Sequence, residues 1–342
     1  LAWVLESAGL DPGFMIGGIA RNFDQNYKNG SGQYFVIEGD EYDTAFFDKQ
    51  PKFLHYTPSR AIITSIEFDH ADIYNDLEHV KKAFSDFIRL MPKSALLVGC
   101  KDYAALNGVA QDAASCRFTS YGTSEGSEWR LRDIVCGPEW TCFSAVSAGD
   151  VIGNFKTRLM GEHNALNALA VIVVASDIGL SYETIYKGLE TFGGVKRRQE
   201  IRGEKRGVTV IDDFAHHPRA VYETISAVSS CYPDRRMIAV FEPRSNSSRR
   251  NTFQQEYSKA FDKADIVCIR DPPLLEKIPV NERFSSERLV NDLIARGVAA
   301  YHFKNADEII AFLVANARSG DLALIMSSGG FENIHERLLD AL

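Results

Sequence analysis

The sequence predicts an α/β protein of two domains, each built on a mostly parallel sheet flanked by helices. Three observations carry that expectation. The chain has 342 residues, enough for two cores at roughly 150 residues per domain. Short apolar runs of strand length alternate with stretches whose apolar residues recur at helical spacing. That alternation occurs twice, interrupted by short segments that read as antiparallel hairpins.

Taken in order, residues 1–8 read as the tail of an amphipathic helix ending at Gly9, and a helix that begins in mid-stride implies upstream sequence. Runs 34–38, 61–64 and 95–99 have strand length, and 76–90 is helical. The hairpin region covers 129–157, split by Gly137-Pro138 and Gly149-Asp150. Helices follow over 162–179 and 181–190. After Gly193-Gly194 the second series begins, with strands at 208–211, 237–241, 266–269 and 322–326 and helices at 220–229, 285–295 and 306–317. The domain boundary is placed near residue 201, giving a central domain over 1–201 and a smaller, Rossmann-like doubly wound domain over 202–342. In such sheets ligands sit beyond the carboxyl ends of the strands.

Composition narrows the function classes. Lys and Arg total 38 against 46 Asp and Glu, a net charge of −8, so no global positive field draws in nucleic acid and any anionic ligand needs local basic residues. No apolar run approaches the roughly 18–20 residues of a membrane span. Six scattered cysteines without a C-x-x-C pair suit a reducing cytoplasm, where they act as small apolar residues.

Polar clusters stand at predicted strand ends. Glu38-Gly39-Asp40-Glu41-Tyr42-Asp43 is either a solvated acidic loop or a hard-oxygen site for Mg²⁺ shared with a phosphate. Glu67-Phe68-Asp69-His70-Ala71-Asp72 ends another strand of what is expected to be the same sheet, and beside the acidic loop a metal role for His70 is the better reading. In Gly161-Glu162-His163-Asn164-Ala165-Leu166-Asn167 the two asparagines share one helical face, where their amides could read a purine edge or serve a cap and a helix contact. Lys196-Arg197-Arg198 could clamp a phosphate or be a solvated run. Asp212-Asp213-Phe214-Ala215-His216-His217-Pro218 enters a helix, and its adjacent histidines point apart, a poor chelate for one metal. Phe241-Glu242-Pro243-Arg244-Ser245-Asn246 suits a carboxylate and an amine. Ser327-Ser328-Gly329-Gly330 permits close backbone approach. A G-x-x-x-x-G-K-[ST] phosphate loop does not occur in these residues.

The acidic strand end, Asp69–Asp72, Gly161–Asn167, Arg197–Glu200 and Asp212–Pro218 occur in the order found in the Mur ligases, the ATP-dependent amide-forming enzymes of peptidoglycan assembly, and the chain resembles their central and C-terminal domains along its whole length. The resemblance implies ATP and Mg²⁺ as cofactors. The stretches Glu41–Lys49 and Glu242–Asn246 look like the branch that joins UDP-N-acetylmuramate to the tripeptide L-Ala-γ-D-Glu-meso-diaminopimelate during recycling. The branch that adds L-Ala alone is the alternative. By the same resemblance, Glu38 and His70 match Mg²⁺ ligands, Asn164 and Asn167 the adenine region, and Arg198 and Asp213 positions near the phosphates and ribose. His216, Arg244, Ser245 and Asn246 are expected at the substrate or peptide end, and Glu38, His70, Arg198 and His216 form the expected catalytic set. The carbamoylated lysine of some members has no counterpart, because Lys81 and Lys82 come too early.

In the family a phosphate loop and a UDP-binding domain precede the helix at 1–8, so the expectation is a fragment that does not turn over ATP alone. Two other enzyme classes and a pure binding module compete. A nicotinamide dehydrogenase should show G-x-G-x-x-G after a strand, whereas Gly30-Ser31-Gly32 precedes one. A metal-dependent hydrolase could use Glu38, Asp69, His70 and Asp72 without ATP.

Overall fold

A computed structural model describes residues 1–69 and 73–342; His70 and Asp72, two of the expected site residues, lie outside the described residues. The chain divides into two compact units, Leu1–Val195 and Lys196–Leu342. The division falls ahead of residue 201 because that position lies inside a strand of the second unit's sheet.

The first unit opens with α1 (Ala2–Ser7), then β1 (Gly13–Ala20), β2 (Gln25–Lys28) and β3 (Phe35–Ile37), which form a three-stranded sheet in the order β2-β1-β3. A small hairpin follows, β4 (Asp43–Ala45) and β5 (Asp48–Pro51). Next come β6 (Arg60–Ile63), α2 (Leu77–Leu90), β7 (Leu96–Cys100), α3 (Ala104–Ala113), β8 (Arg117–Gly122), β9 (Trp129–Cys136), β10 (Thr141–Ser147) and β11 (Asp150–Thr157). These strands make one sheet in the order β11-β10-β9-β8-β7-β6, parallel from β6 to β9 and antiparallel through the expected hairpins. Asp76 caps α2 by accepting from the His79 N–H at 2.8 Å. Helices α4 (Glu162–Asp177) and α5 (Tyr182–Thr191) close the unit. α4 is apolar on most sides and packs against the sheet centre through Ala165, Leu169, Ile172 and Val173, all buried. Gly188 lets α5 approach α1: a Cβ there would lie 2.9 Å from the Val4 Cα.

The two acidic strand ends were expected on one sheet, and the structure corrects this. Among the described residues β3 bonds only to β1 and β6 only to β7, so they are edges of different sheets. Residues of both edges, Tyr34–Ile37 and Arg60–Ser65, line one cavity of about 820 Å³.

The second unit contains β12 (Glu200–Lys205), β13 (Val208–Asp213), α6 (Pro218–Cys231), β14 (Met237–Glu242), α7 (Gln254–Ala260), β15 (Ile266–Arg270), α8 (Ser286–Ala295), β16 (Ala299–Phe303), α9 (Ala306–Asn316), β17 (Leu322–Ser327) and α10 (Ile334–Ala341). Its sheet runs β12-β13-β17-β14-β15-β16, parallel except for the polar edge strand β12. β13, β14 and β17 are buried at every position because helices cover both faces. The last strand inserts between β13 and β14, so Asp213 stands opposite Met326 and Glu242 opposite Ser327. The carboxyl ends of four strands therefore deliver Asp212-Asp213, Ser327, Glu242 and Arg270 to one edge.

Candidate functional site

Each unit carries some of the predicted site residues, and each set is described within its own unit. In the first, Glu38 follows β3 directly and is exposed, and its Oε2 accepts from the Gly17 N–H at 2.5 Å. The loop behind it is partly neutralised within the chain. Asp40 accepts from the Tyr42 N–H at 2.9 Å and pairs with Lys52 at 2.7 Å, which raises the lysine's pKa. The Tyr74 hydroxyl donates to the Glu41 carbonyl at 3.0 Å. Among the described residues no three His, Cys, Asp or Glu side chains form a metal-holding group. An exposed carboxylate at a strand end nevertheless fits Mg²⁺, which takes one or two protein carboxylates and completes its octahedron with water and phosphate.

The asparagine motif starts α4. Gly161 adopts φ +91°, a left-handed conformation that suits glycine, and its N–H donates to Thr141 Oγ1 at 3.3 Å. Asn164 donates to the Met160 carbonyl at 2.9 Å, and Asn167, exposed, donates to Asn164 Oδ1 at 3.5 Å. The two amides do share one face, with Asn167 outermost.

In the second unit the basic run divides its labour. Arg197 has φ +60° and Gln199 φ +50°, a costly backbone for residues with a Cβ. The bend is held from inside. Asp213, 3% exposed, accepts from the N–H of Gln199 and of Ala215, both at 2.8 Å, and from Thr224 Oγ1 at 3.2 Å. Burial raises the Asp213 pKa despite the pull of Arg198 and these donors. Its oxygens are thus engaged by this chain, and its side chain shapes the loop. Arg197 turns inward while Arg198 is exposed, and both guanidinium groups lie 5.2 Å from the Phe214 ring. His216 meets the same ring edge-on at 5.4 Å, and its Nδ1–H donates to the Phe214 carbonyl at 3.0 Å. That bond selects the tautomer whose Nε2 accepts. His217 instead caps α6, accepting from the Arg219 N–H at 3.3 Å. The structure therefore brings Arg198 and His216 together around Phe214.

After β14, Ser245 builds its own loop, with Oγ 2.9 Å from Ser248 Oγ, and Asn246 accepts from Arg249 at 2.7 Å. Arg244 is exposed and lies across Gly329, where a Cβ would sit 2.1 Å from its Cδ. Beneath it Glu242, fully buried, accepts from Ser327 Oγ at 2.5 Å and from Arg270, with the Arg244 guanidinium 3.7 Å away. Arg270 also bonds Glu332, on a turn where Phe331, Glu332 and Asn333 all have positive φ. Sequence reasoning missed Arg270 and Glu332. The polar run Arg270-Asp271-Pro272-Pro273 at the end of a strand was the available signal.

Family models match nearly the whole chain: the Mur ligase middle domain over residues 19–175, and the Mur ligase glutamate ligase domain over 197–329. The UDP-N-acetylmuramate–L-alanyl-γ-D-glutamyl-meso-2,6-diaminoheptandioate ligase of Haemophilus influenzae is 37% identical over 344 residues, covering 100% of this chain and 73% of that protein. The UDP-N-acetylmuramate–L-alanine ligase of Desulforapulum autotrophicum is 33% identical over 343 residues, again with 100% and 73% covered. Among solved structures, a murein peptide ligase from Psychrobacter arcticus superposes with a TM-score of 0.69 at 31% identity, covering 99% of this chain and 73% of that one.

Proposed function

The chain belongs to the Mur ligase family, and on that premise we propose that it joins UDP-N-acetylmuramate to L-Ala-γ-D-Glu-meso-diaminopimelate at the expense of ATP. The observation that carries this reading is the 37% identity to a tripeptide ligase along 100% of the chain.

The chemistry is acyl activation. The lactyl carboxylate takes the γ-phosphoryl group of ATP, giving an acyl phosphate and ADP. The peptide's amine then attacks the acyl carbon, phosphate departs, and the amine's surplus proton leaves with it. Carboxylate, triphosphate and acyl phosphate are all anionic, so the protein's task is to hold negative charges together. Mg²⁺, if bound, would neutralise phosphate charge, and on this reading Glu38 would be among the residues that hold it. Arg198, displayed outward over Phe214, supplies a guanidinium to phosphate or developing oxyanion. Asn164 and Asn167 present donor and acceptor groups on one face of α4 to an adenine edge. This reading assigns the substrate to His216, fixed by its Nδ1–H bond, and to Arg244, laid over Gly329.

Phosphate release by the full-length enzyme with Mg-ATP and UDP-N-acetylmuramate tests the proposal, with tripeptide or L-Ala as amine. Release with tripeptide alone supports it. Release with L-Ala alone transfers the chain to the alanine-adding branch, to which it also has 33% identity. No release with either amine refutes both.

A further inference from the structure

Of the basic run, the proposed chemistry uses Arg198 alone; Lys196 is exposed, whereas the Arg197 side chain turns inward. Its Nη2 donates to two carbonyls of the turn after β17, Ser327 O at 2.7 Å and Gly329 O at 2.6 Å. Its Nε lies 3.5 Å from Asp212, which is 2% exposed and also faces Arg202 and His335 at 3.3 Å each. Its backbone is fastened at both ends: the N–H donates to Glu200 Oε2 at 2.8 Å, and the carbonyl accepts from the Phe214 N–H at 2.8 Å. Gly329, held by this guanidinium, is the residue on which Arg244 lies. One side chain therefore spans the loop that displays Arg198 and the turn that supports Arg244.

We infer that Arg197 is a positioning residue that sets the peptide-side guanidinium, Arg244, from the phosphate-side loop, so that the two anion-holding arginines keep a fixed spacing. The inference rests on the ligase reading above. The physical reason is the planar fork of arginine: it reaches Asp212 through Nε while Nη2 reaches both carbonyls. Without it, those carbonyls lose their charged donor, and the Ser328–Gly330 turn is free to shift under Arg244. Phe331, Glu332 and Asn333, at φ +42°, +53° and +58°, are a strained run immediately downstream, and strain of this kind persists only while surrounding contacts over-determine it.

The test is steady-state kinetics of R197Q, R197G and R197K in the full-length enzyme, together with amide hydrogen exchange without substrates. R197G suits the left-handed φ at this position, so the loop backbone is retained while the guanidinium is lost. R197Q and R197G should raise the tripeptide KM about tenfold while the Mg-ATP KM changes about twofold or less, and exchange at Gly329–Phe331 should accelerate. R197K, which can reach the carbonyls with a point charge, should recover part of the KM. An unchanged tripeptide KM, or both KM values and kcat moving in step with the folded fraction, would overturn the inference. If wild-type protein shows no tripeptide-dependent phosphate release, the ligase reading fails instead. The exchange experiment still judges the positioning role: no acceleration at Gly329–Phe331 refutes it.

Discussion

Replacing Glu242 by glutamine tests whether the carboxyl edge of the second sheet is held by one buried ion pair. Glu242 is 0% exposed and the Arg270 side chain 10% exposed, and the two bond directly. Glutamine keeps the shape and retains an oxygen for the Ser327 hydroxyl, so the perturbation is the loss of one negative charge and of the oxygen that accepts from Arg270. Breaking a buried pair from one side costs about 3–5 kcal/mol, because the remaining charge has lost its compensation. Here Glu332, 44% exposed on its side chain, still reaches Arg270, so the lower end applies, about 3 kcal/mol. At about 2–4 °C per kcal/mol for a unit of this size, Tm should fall by roughly 6–12 °C. Urea and thermal unfolding followed by circular dichroism would measure it. The double variant E242Q/R270M removes both charges and should lose less than the sum of the single changes, since no uncompensated charge remains. A loss below about 1 kcal/mol for E242Q, or strict additivity in the double variant, would refute the reasoning that the pair is buried and coupled.

Other outcomes follow from the same structure. Burial opposes ionisation of Asp177, Asp212 and Asp321, yet arginines beside Asp177 and Asp321, and His335 ahead of two arginines beside Asp212, outweigh it and hold the carboxyls below the usual range. A depressed folded pKa stabilises above the unfolded value of about 4 and is lost as pH falls below it. Unfolding free energy should therefore drop on acidification below about pH 4, which denaturant titrations across that window would show. Asn167→Ala should raise the KM for ATP severalfold without moving Tm, because its side chain is exposed; Asn164→Ala should do so while also costing about 1 kcal/mol, the bond to the Met160 carbonyl being lost. In thiol labelling of native protein, Cys142, exposed on β10, should react first. Burial pushes Cys100 up to about 11 and Cys268 up to about 12, so both should resist. Fast labelling at Cys268 would contradict its burial.

Much of the architecture was legible because its causes are local. Val208–Asp213 and Leu322–Ser327 are apolar runs buried on both faces, and such strands announce themselves by composition. β1 was not legible, since Gly13, Gly17 and Gly18 interrupt it. Those glycines answer to close approach: a Cβ on Gly13 would meet the Asn29 carbonyl at 2.6 Å, and one on Gly18 the Val195 side chain at 2.5 Å. β12, with the polar sequence Glu-Ile-Arg-Gly-Glu-Lys, was hidden because an edge strand needs no apolar face. Strand order was beyond reach for another reason. The insertion of β17 between β13 and β14 is a long-range pairing that no window of sequence encodes, and it is this insertion that sets Ser327 beside Glu242.

The site itself shows why motif residues are easier to find than their roles. Strand ends in the sequence pointed to Asp213, Ser245 and Asn246, and each is spent on its own loop: Asp213 on backbone N–H groups, Ser245 on Ser248, Asn246 on Arg249. Arg198 and Arg244 are displayed outward from the scaffold those neighbours build. A run such as Lys196-Arg197-Arg198 gives no sign of which guanidinium turns inward, because the left-handed backbone at Arg197 depends on Glu200, Phe214 and Asp213 beside it. Rigid display of a charge requires buried polar partners for the residues around it. The inward arginine, the buried aspartates and the outward arginine are therefore one device, and disabling any inner part should be read out at the exposed Arg198 and Arg244.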